Sequence, residues 1–137
     1  MSDGIFSIIG SALDAQDVRM SAIASNLANA GSVAKAGEPA YRAQEVVFQA
    51  APVGDGEPQN LGVQVAATVQ SNAPLSLKYD PGSPYANGQG YVTGSNVSPV
   101  EEMVNMIDSS NSYAASIALL QQNTRIDEQM ISSFQVT

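Results

Sequence analysis

Two asparagines three residues apart, Asn26 and Asn29, stand in the alanine-rich stretch IASNLANAGS, residues 23–32. Each carries an amide that both donates and accepts, which suits fixing the register of neighbouring backbone rather than breaking bonds. Carboxylates are the next candidates. Glu101 and Glu102 are adjacent, so on a helix they point apart, and favourable interaction with the helix dipole is a stronger reading than acid–base catalysis. Asp14 and Asp17 lie one turn apart and could share a cation, but calcium wants about six or more oxygen ligands and a solvated acidic face explains them better. The loop DPGSPYANGQG (80–90) is rich in glycine yet has no lysine or helix start with which to cradle phosphate. Lys35 and Lys78 have no serine motif beside them. Catalysis is the weak reading.

Composition narrows the chemistry further. There is no histidine and no cysteine, which removes a Ser-His-Asp triad, thiolate chemistry and His-bearing metal clusters. No metal and no cofactor is expected. Five basic residues against thirteen acidic ones give a net charge of −8, which repels nucleic-acid phosphates and anionic lipid. No run approaches the roughly 18 apolar residues of a membrane span. MSDGIFSIIGSALDAQ lacks a basic stretch ahead of its apolar residues, so no cleavable secretion signal is expected.

What would position these residues is a pair of long helices. Phe6, Ile9, Leu13, Gln16, Met20, Ile23, Leu27 and Ala30 alternate steps of three and four, a heptad seam with one polar break. Asp3 is the expected N-cap, and Gly31 falls where a C-terminal cap is expected. Ser98-Pro99-Val100-Glu101 has the form of a capping box with proline at the first helical position. After it Met103, Met106, Ser110, Tyr113, Ile117, Leu120, Thr124, Asp127, Ile131 and Phe134 repeat the alternation, with Val104, Ile107 and Ala114 widening the stripe. Small and polar positions on this second seam make a poor dry core for a closed hairpin. They suit a helix with several neighbours.

The segment between has a different character, with eight of the eleven glycines and six of the seven prolines. YRAQEVVFQA (41–50) and LGVQVAATVQ (61–70) are expected strands, with a short third near 90–93. PVGDGEP (52–58) and DPGSPYANGQG are expected turns. The expected fold is mainly α, with long terminal helices packed as a coiled-coil-like pair around a small β-rich or extended middle. The parts are 1–31, an N-terminal assembly helix; 32–97, the middle; and 98–137, a C-terminal assembly helix. Helices of roughly 27 and 36 residues would run about 40 and 54 Å at 1.5 Å per residue. A compact chain of 137 residues has a radius of gyration of only about 14 Å. Both ends therefore look built to pack lengthwise against each other and against copies or relatives.

Three stretches, LDAQDVRMSAIASNLANA, YRAQEVVFQ and GYVTGSNVSPVEEMVNMIDSSNSYAAS, resemble the bacterial flagellar axial proteins, and among them the proteins of the proximal rod. SNLANA is common to the axial proteins, while the C-terminal block and the DPGSPYANGQGYV loop narrow the resemblance. Two details depart from the family pattern: Gly31-Ser32-Val33 follows SNLANA, and Tyr113-Ala114-Ala115-Ser116 replaces a Tyr-x-Ala-Asn pattern. The resemblance implies a structural subunit of the rod that crosses the periplasm, exported by the flagellar type III apparatus without a cleaved signal. It implies as partners copies of the chain, other rod proteins and the export apparatus, with an adaptor and a membrane-embedded ring at the rod base. The assembly interface would comprise Phe6, Ile9, Leu13, Met20, Ile23, Asn26, Leu27 and Asn29 on the first helix. On the second it would comprise Met103, Met106, Tyr113, Ile117, Leu120, Ile131 and Phe134. Asn26 and Asn29 would bond the backbone of neighbouring subunits. The competing reading is a soluble helical-hairpin adaptor or export chaperone.

Overall fold

A computed structural model describes residues 2–54 and 60–134, without the side chains of Ser2 and Asp3. Two long helices, α1 (Ser2–Asn29) and α2 (Pro99–Phe134), flank five strands: β1 (Val33–Ala34), β2 (Gln44–Pro52), β3 (Leu61–Gln70), β4 (Leu77–Tyr79) and β5 (Tyr91–Gly94). Long helices at both ends and a small antiparallel β middle thus match the expected outline.

α1 begins at Ser2, one residue before the expected cap at Asp3. Its other end is also made differently. Gly31 is not among the glycines with positive φ, so it does not form a left-handed cap. Instead Ala30 N donates to Leu27 O at 3.3 Å, and Asn29 O accepts from both Ser32 N (3.1 Å) and Ser32 Oγ (2.8 Å). The last turn tightens, and a serine supplies the missing donor. α2 starts at Pro99 as the missing proline N–H predicts, with Glu102 N donating to Ser98 O at 3.0 Å.

β2 and β3 form a hairpin from Gln44↔Gln70 to Pro52↔Leu61, with a bulge between Val47 and Phe48. Both strands coincide closely with the expected ones. Of the turn at 52–58, residues 55–58 lie outside the described residues. β5 confirms the short third strand and is the centre of a second antiparallel sheet, β1-β5-β4. β1 and β4 are two and three residues long, too short to show alternation in sequence. The 80–90 loop is held by Asp80 N to Gly90 O at 2.9 Å and Asn87 N to Tyr91 O at 2.9 Å. Gly90 takes φ +82 there, a conformation glycine adopts without strain.

α1 is the central element. The hairpin packs on one side of it, with Ser11 Oγ accepting from Val63 N at 3.1 Å. α2 packs on another, where Ser109 Oγ donates to Gln16 Oε1 at 2.8 Å and Arg19 reaches Asp108 at 3.3 Å. Low residue numbers of α1 meet high ones of α2, because Ala22 and Ile23 lie beside Glu102 and Asn105. The helices are therefore antiparallel. Among the described residues α2 packs against no element other than α1. The core is small: Ile9, Ala15, Ala22, Ile23, Ala43 and Val92 are its buried apolar residues.

Candidate assembly surface

The expected seam of α2 divides between the side turned to α1 and the exposed side. The side facing α1 comprises Glu102, Asn105, Met106, Ser109, Ser112, Tyr113, Ser116, Ile117, Leu120 and Asn123, none of which is exposed. Met106, Tyr113, Ile117 and Leu120 of the expected seam are on it. Met103, Ser110, Thr124, Ile131 and Phe134 are exposed, and so are Val104, Ile107 and Ala114, which were expected to widen the stripe. The physical reason is closeness. Serines at 109, 112 and 116 let the helix backbones approach, and Ser109, with no exposed surface, is the one buried residue of the helix. Such a contact is not a strong dry core, since Glu102 Oε2 and Asn123 Nδ2 are buried without hydrogen-bond partners.

Several bulky side chains are on the outside. Val100 is 73% exposed, Met103 55%, Val104 61% and Ile107 62%. Their spacing (100, 103, 104, 107) is that of one helical face. Ser109, inside against α1, is offset from Ile107 by two residues and so lies across the helix from that face. Leu119, Ile126 and Met130 are also exposed further along the helix. Beyond Asn123, Asp127 is the one described residue of α2 that is not exposed. Extending the antiparallel register shows why: about ten residues, roughly 15 Å at 1.5 Å each, project past the start of α1.

The total accessible surface agrees. It is 9125 Å², against about 6,800 Å² for a folded monomer of this mass. Exposed apolar surface of this extent is characteristic of sites that contact another protein or a membrane.

α1 is used differently. Ile9 and Ile23 are buried, and Phe6, Leu13, Met20 and Leu27 half-buried, all within the subunit itself. The Asn26 amide is satisfied at home, which corrects the expectation that it bonds a neighbouring subunit. Asn26, 1% exposed, donates from Nδ2 to Gln44 O at 3.0 Å and accepts at Oδ1 from Gln44 N at 2.8 Å. Tyr41 OH donates to the same Oδ1 at 3.0 Å. Asn29 Nδ2 donates to Ser25 O, one turn back, at 2.9 Å.

Asn96, Ser95 and Ser109 are structural residues that the sequence reading missed. Asn96 Oδ1 accepts from Ala43 N at 2.7 Å, and its Nδ2 donates to Ser71 O and Ala73 O. Ser95 Oγ donates to Ala30 O at 2.7 Å. A polar pair just ahead of the Ser-Pro helix start was the available signal for the first two. For Ser109, flanked by Ser110, there was none.

Among the described residues no group of three or more His, Cys, Asp or Glu could hold a metal ion. No helix there is long and apolar enough to cross a membrane. Glu101 is exposed, and neither Asp14 nor Asp17 is buried. The cleft between α1 and the hairpin, about 470 Å³, has Asp14 as its one charged lining residue and is otherwise lined by groups such as Ala15, Val18, Pro52 and Val65. Among the described residues the geometry thus leaves one apolar face of α2 exposed.

Comparison with known proteins identifies the kind of subunit. Residues 8–32 match the family "Flagella basal body rod protein", and residues 89–133 match "Flagellar basal body rod FlgEFG protein C-terminal". The chain is 50% identical over 118 residues to the flagellar basal-body rod protein FlgC of Salmonella typhimurium, covering 85% of each. It is 42% identical over 118 residues to FlgC of Buchnera aphidicola from Acyrthosiphon pisum, again covering 85% of each. With FlgC of Bacillus subtilis it shares 37% identity over 128 residues, covering 82% of this chain and 85% of that one. The chain belongs to the FlgC family of flagellar basal-body rod proteins.

Proposed function

We propose that the chain is a structural subunit of the proximal rod of the flagellar basal body and polymerises through its terminal helices. The observation that carries this is the outer face of α2, where Val100, Met103, Val104 and Ile107 stand in water while serines fill the contact with α1. Covering such a face stabilises the assembled state by about 25 cal/mol per Å² of apolar surface. A free helical-hairpin adaptor would have to keep that face wet.

The division of labour follows the three parts of the chain. Residues 1–31 and 98–137 supply the assembly helices, paired as a coiled-coil-like hairpin, and 32–97 form the middle that holds α1 from the other side. Met103 and Ile131 face neighbouring chains. Ile9, Ile23 and Asn26 act indirectly, by holding α1 in place. The partners are copies of the chain and other rod proteins, with the adaptor and the membrane-embedded ring at the base. The subunit reaches the periplasm through the flagellar type III apparatus, and its role there is structural. Torque passes through many parallel helix contacts, so stiffness follows from the number of covered faces.

The test is complementation. The chain is expressed in a bacterium whose own FlgC gene has been deleted, and swimming is scored together with the presence of the chain in purified basal bodies. Restored swimming with the chain in the rod is expected. A chain that is exported but absent from basal bodies would overturn the reading.

A further inference from the structure

The backbone at the base of the hairpin is held in an unusual way. Ala43 and Gln44 offer four backbone polar groups, and side chains satisfy three of them. Ala43 N donates to Asn96 Oδ1 at 2.7 Å; Gln44 N donates to Asn26 Oδ1 at 2.8 Å; Gln44 O accepts from Asn26 Nδ2 at 3.0 Å. The fourth, Ala43 O, accepts from Ser71 N at 2.8 Å. Asn26 thus meets Gln44 as a facing strand residue would, with one donor and one acceptor closing a two-bond ring. Asn96 meets Ala43 and, through Nδ2, Ser71 O at 3.2 Å and Ala73 O at 3.0 Å.

The positions of the two asparagines give this its meaning. Asn26 is in the last turn of α1, and Asn96 lies three residues before Pro99, the first residue of α2. The last turn of α1 and the segment leading into α2 therefore grip two adjacent residues at the base of β2. A buried amide that loses its partner leaves the partner's backbone group unsatisfied too, so neither grip can open cheaply while the other holds.

We infer that Asn26 and Asn96 form a two-sided latch that makes the end of α1, the base of the β2–β3 hairpin and the segment leading into α2 order as one unit. Closing the hairpin base on α1 sets where α2 starts, so the two helices become competent for assembly together. Tyr41, whose OH donates to Asn26 Oδ1 at 3.0 Å and accepts from the Ser25 hydroxyl at 3.2 Å, braces the α1 side. The latch acts within one subunit, so it stands or falls independently of what covers the outer face of α2.

The test is amide hydrogen exchange on the full chain in dilute solution, read by mass spectrometry, for Asn26→Ala, Asn96→Ala, the double variant and Tyr41→Phe. Exchange is expected to rise about tenfold or more over 26–30, 43–52 and 97–102 together in each alanine variant. The double variant should add little to either single one, because an opened latch has nothing further to lose. The β4–β5 ladder reports that the rest of the chain remains folded. Should an alanine variant lose that ladder as well, Tyr41→Phe is the variant read; it keeps the Asn26–Gln44 ring and should give a smaller rise over the same three segments. Loosening confined to each variant's own flank, additive effects in the double variant, or no change in β2 would overturn the latch.

Discussion

Ile107→Asp separates folding from assembly more cleanly than any other single change. Ile107 is 62% exposed on α2, and substitutions at such positions usually change monomer stability by no more than about 0.5 kcal/mol. In the rod the balance differs. Burying an isoleucine or valine completely is worth about 1.5–3 kcal/mol. Scaled by exposures of 55–73%, the four residues Val100, Met103, Val104 and Ile107 stabilise one covered face by about 4–8 kcal/mol. Aspartate at 107 removes about 1–2 kcal/mol of that and adds the several kcal/mol needed to desolvate a carboxylate. A loss of about 4 kcal/mol per contact corresponds to nearly a thousandfold weaker association. The assay pairs thermal and urea unfolding of the purified chain with swimming through soft agar and with the variant's content in basal bodies. Unchanged unfolding, no swimming and no incorporation are expected for Ile107→Asp, and near-normal swimming for Ile107→Val. Normal incorporation of Ile107→Asp would refute the assignment of this face to assembly.

Two further substitutions test the packing inside the subunit. Ser109→Leu puts a branched side chain where no surface is exposed and where Gln16 accepts a hydrogen bond; a loss of about 1–3 kcal/mol from overpacking is expected in urea unfolding. Gly62→Ala places a methyl group against Ser11 Oγ of α1 and Val53 Cγ1. A lower melting temperature is expected, with faster exchange in β2 and β3 and little change in α2.

Some of this was legible in the sequence because the signals were local. Proline at 99 after a serine placed the start of α2, and ten residues of fair alternation placed β3. Asn26 stood out as an amide among alanines, but its partner Gln44 lies across a connection whose path no local rule gives. Asn29 stood out for the same reason and turned out to bond its own helix. The rotation of α2 was illegible for a physical reason. A hydrophobic seam is located by assuming that bulky apolar residues face the nearest helix. Here serines and amides share that side with Met106, Tyr113, Ile117 and Leu120, while Val100, Met103, Val104 and Ile107 are exposed. Where a helix has both an inner contact and an exposed apolar face, hydropathy reports the sum of the two and cannot divide them. β1 and β4 escaped because two or three residues carry no period.

The most direct measurement uses the absence of cysteine from the chain. A single thiol at Ile107→Cys, on the outer face of α2, is labelled with a maleimide in the dilute purified subunit and again in intact basal bodies. Fast labelling of the free chain and strong protection in the rod are expected. Equal labelling in both would contradict the claim that this face is what the assembled rod covers.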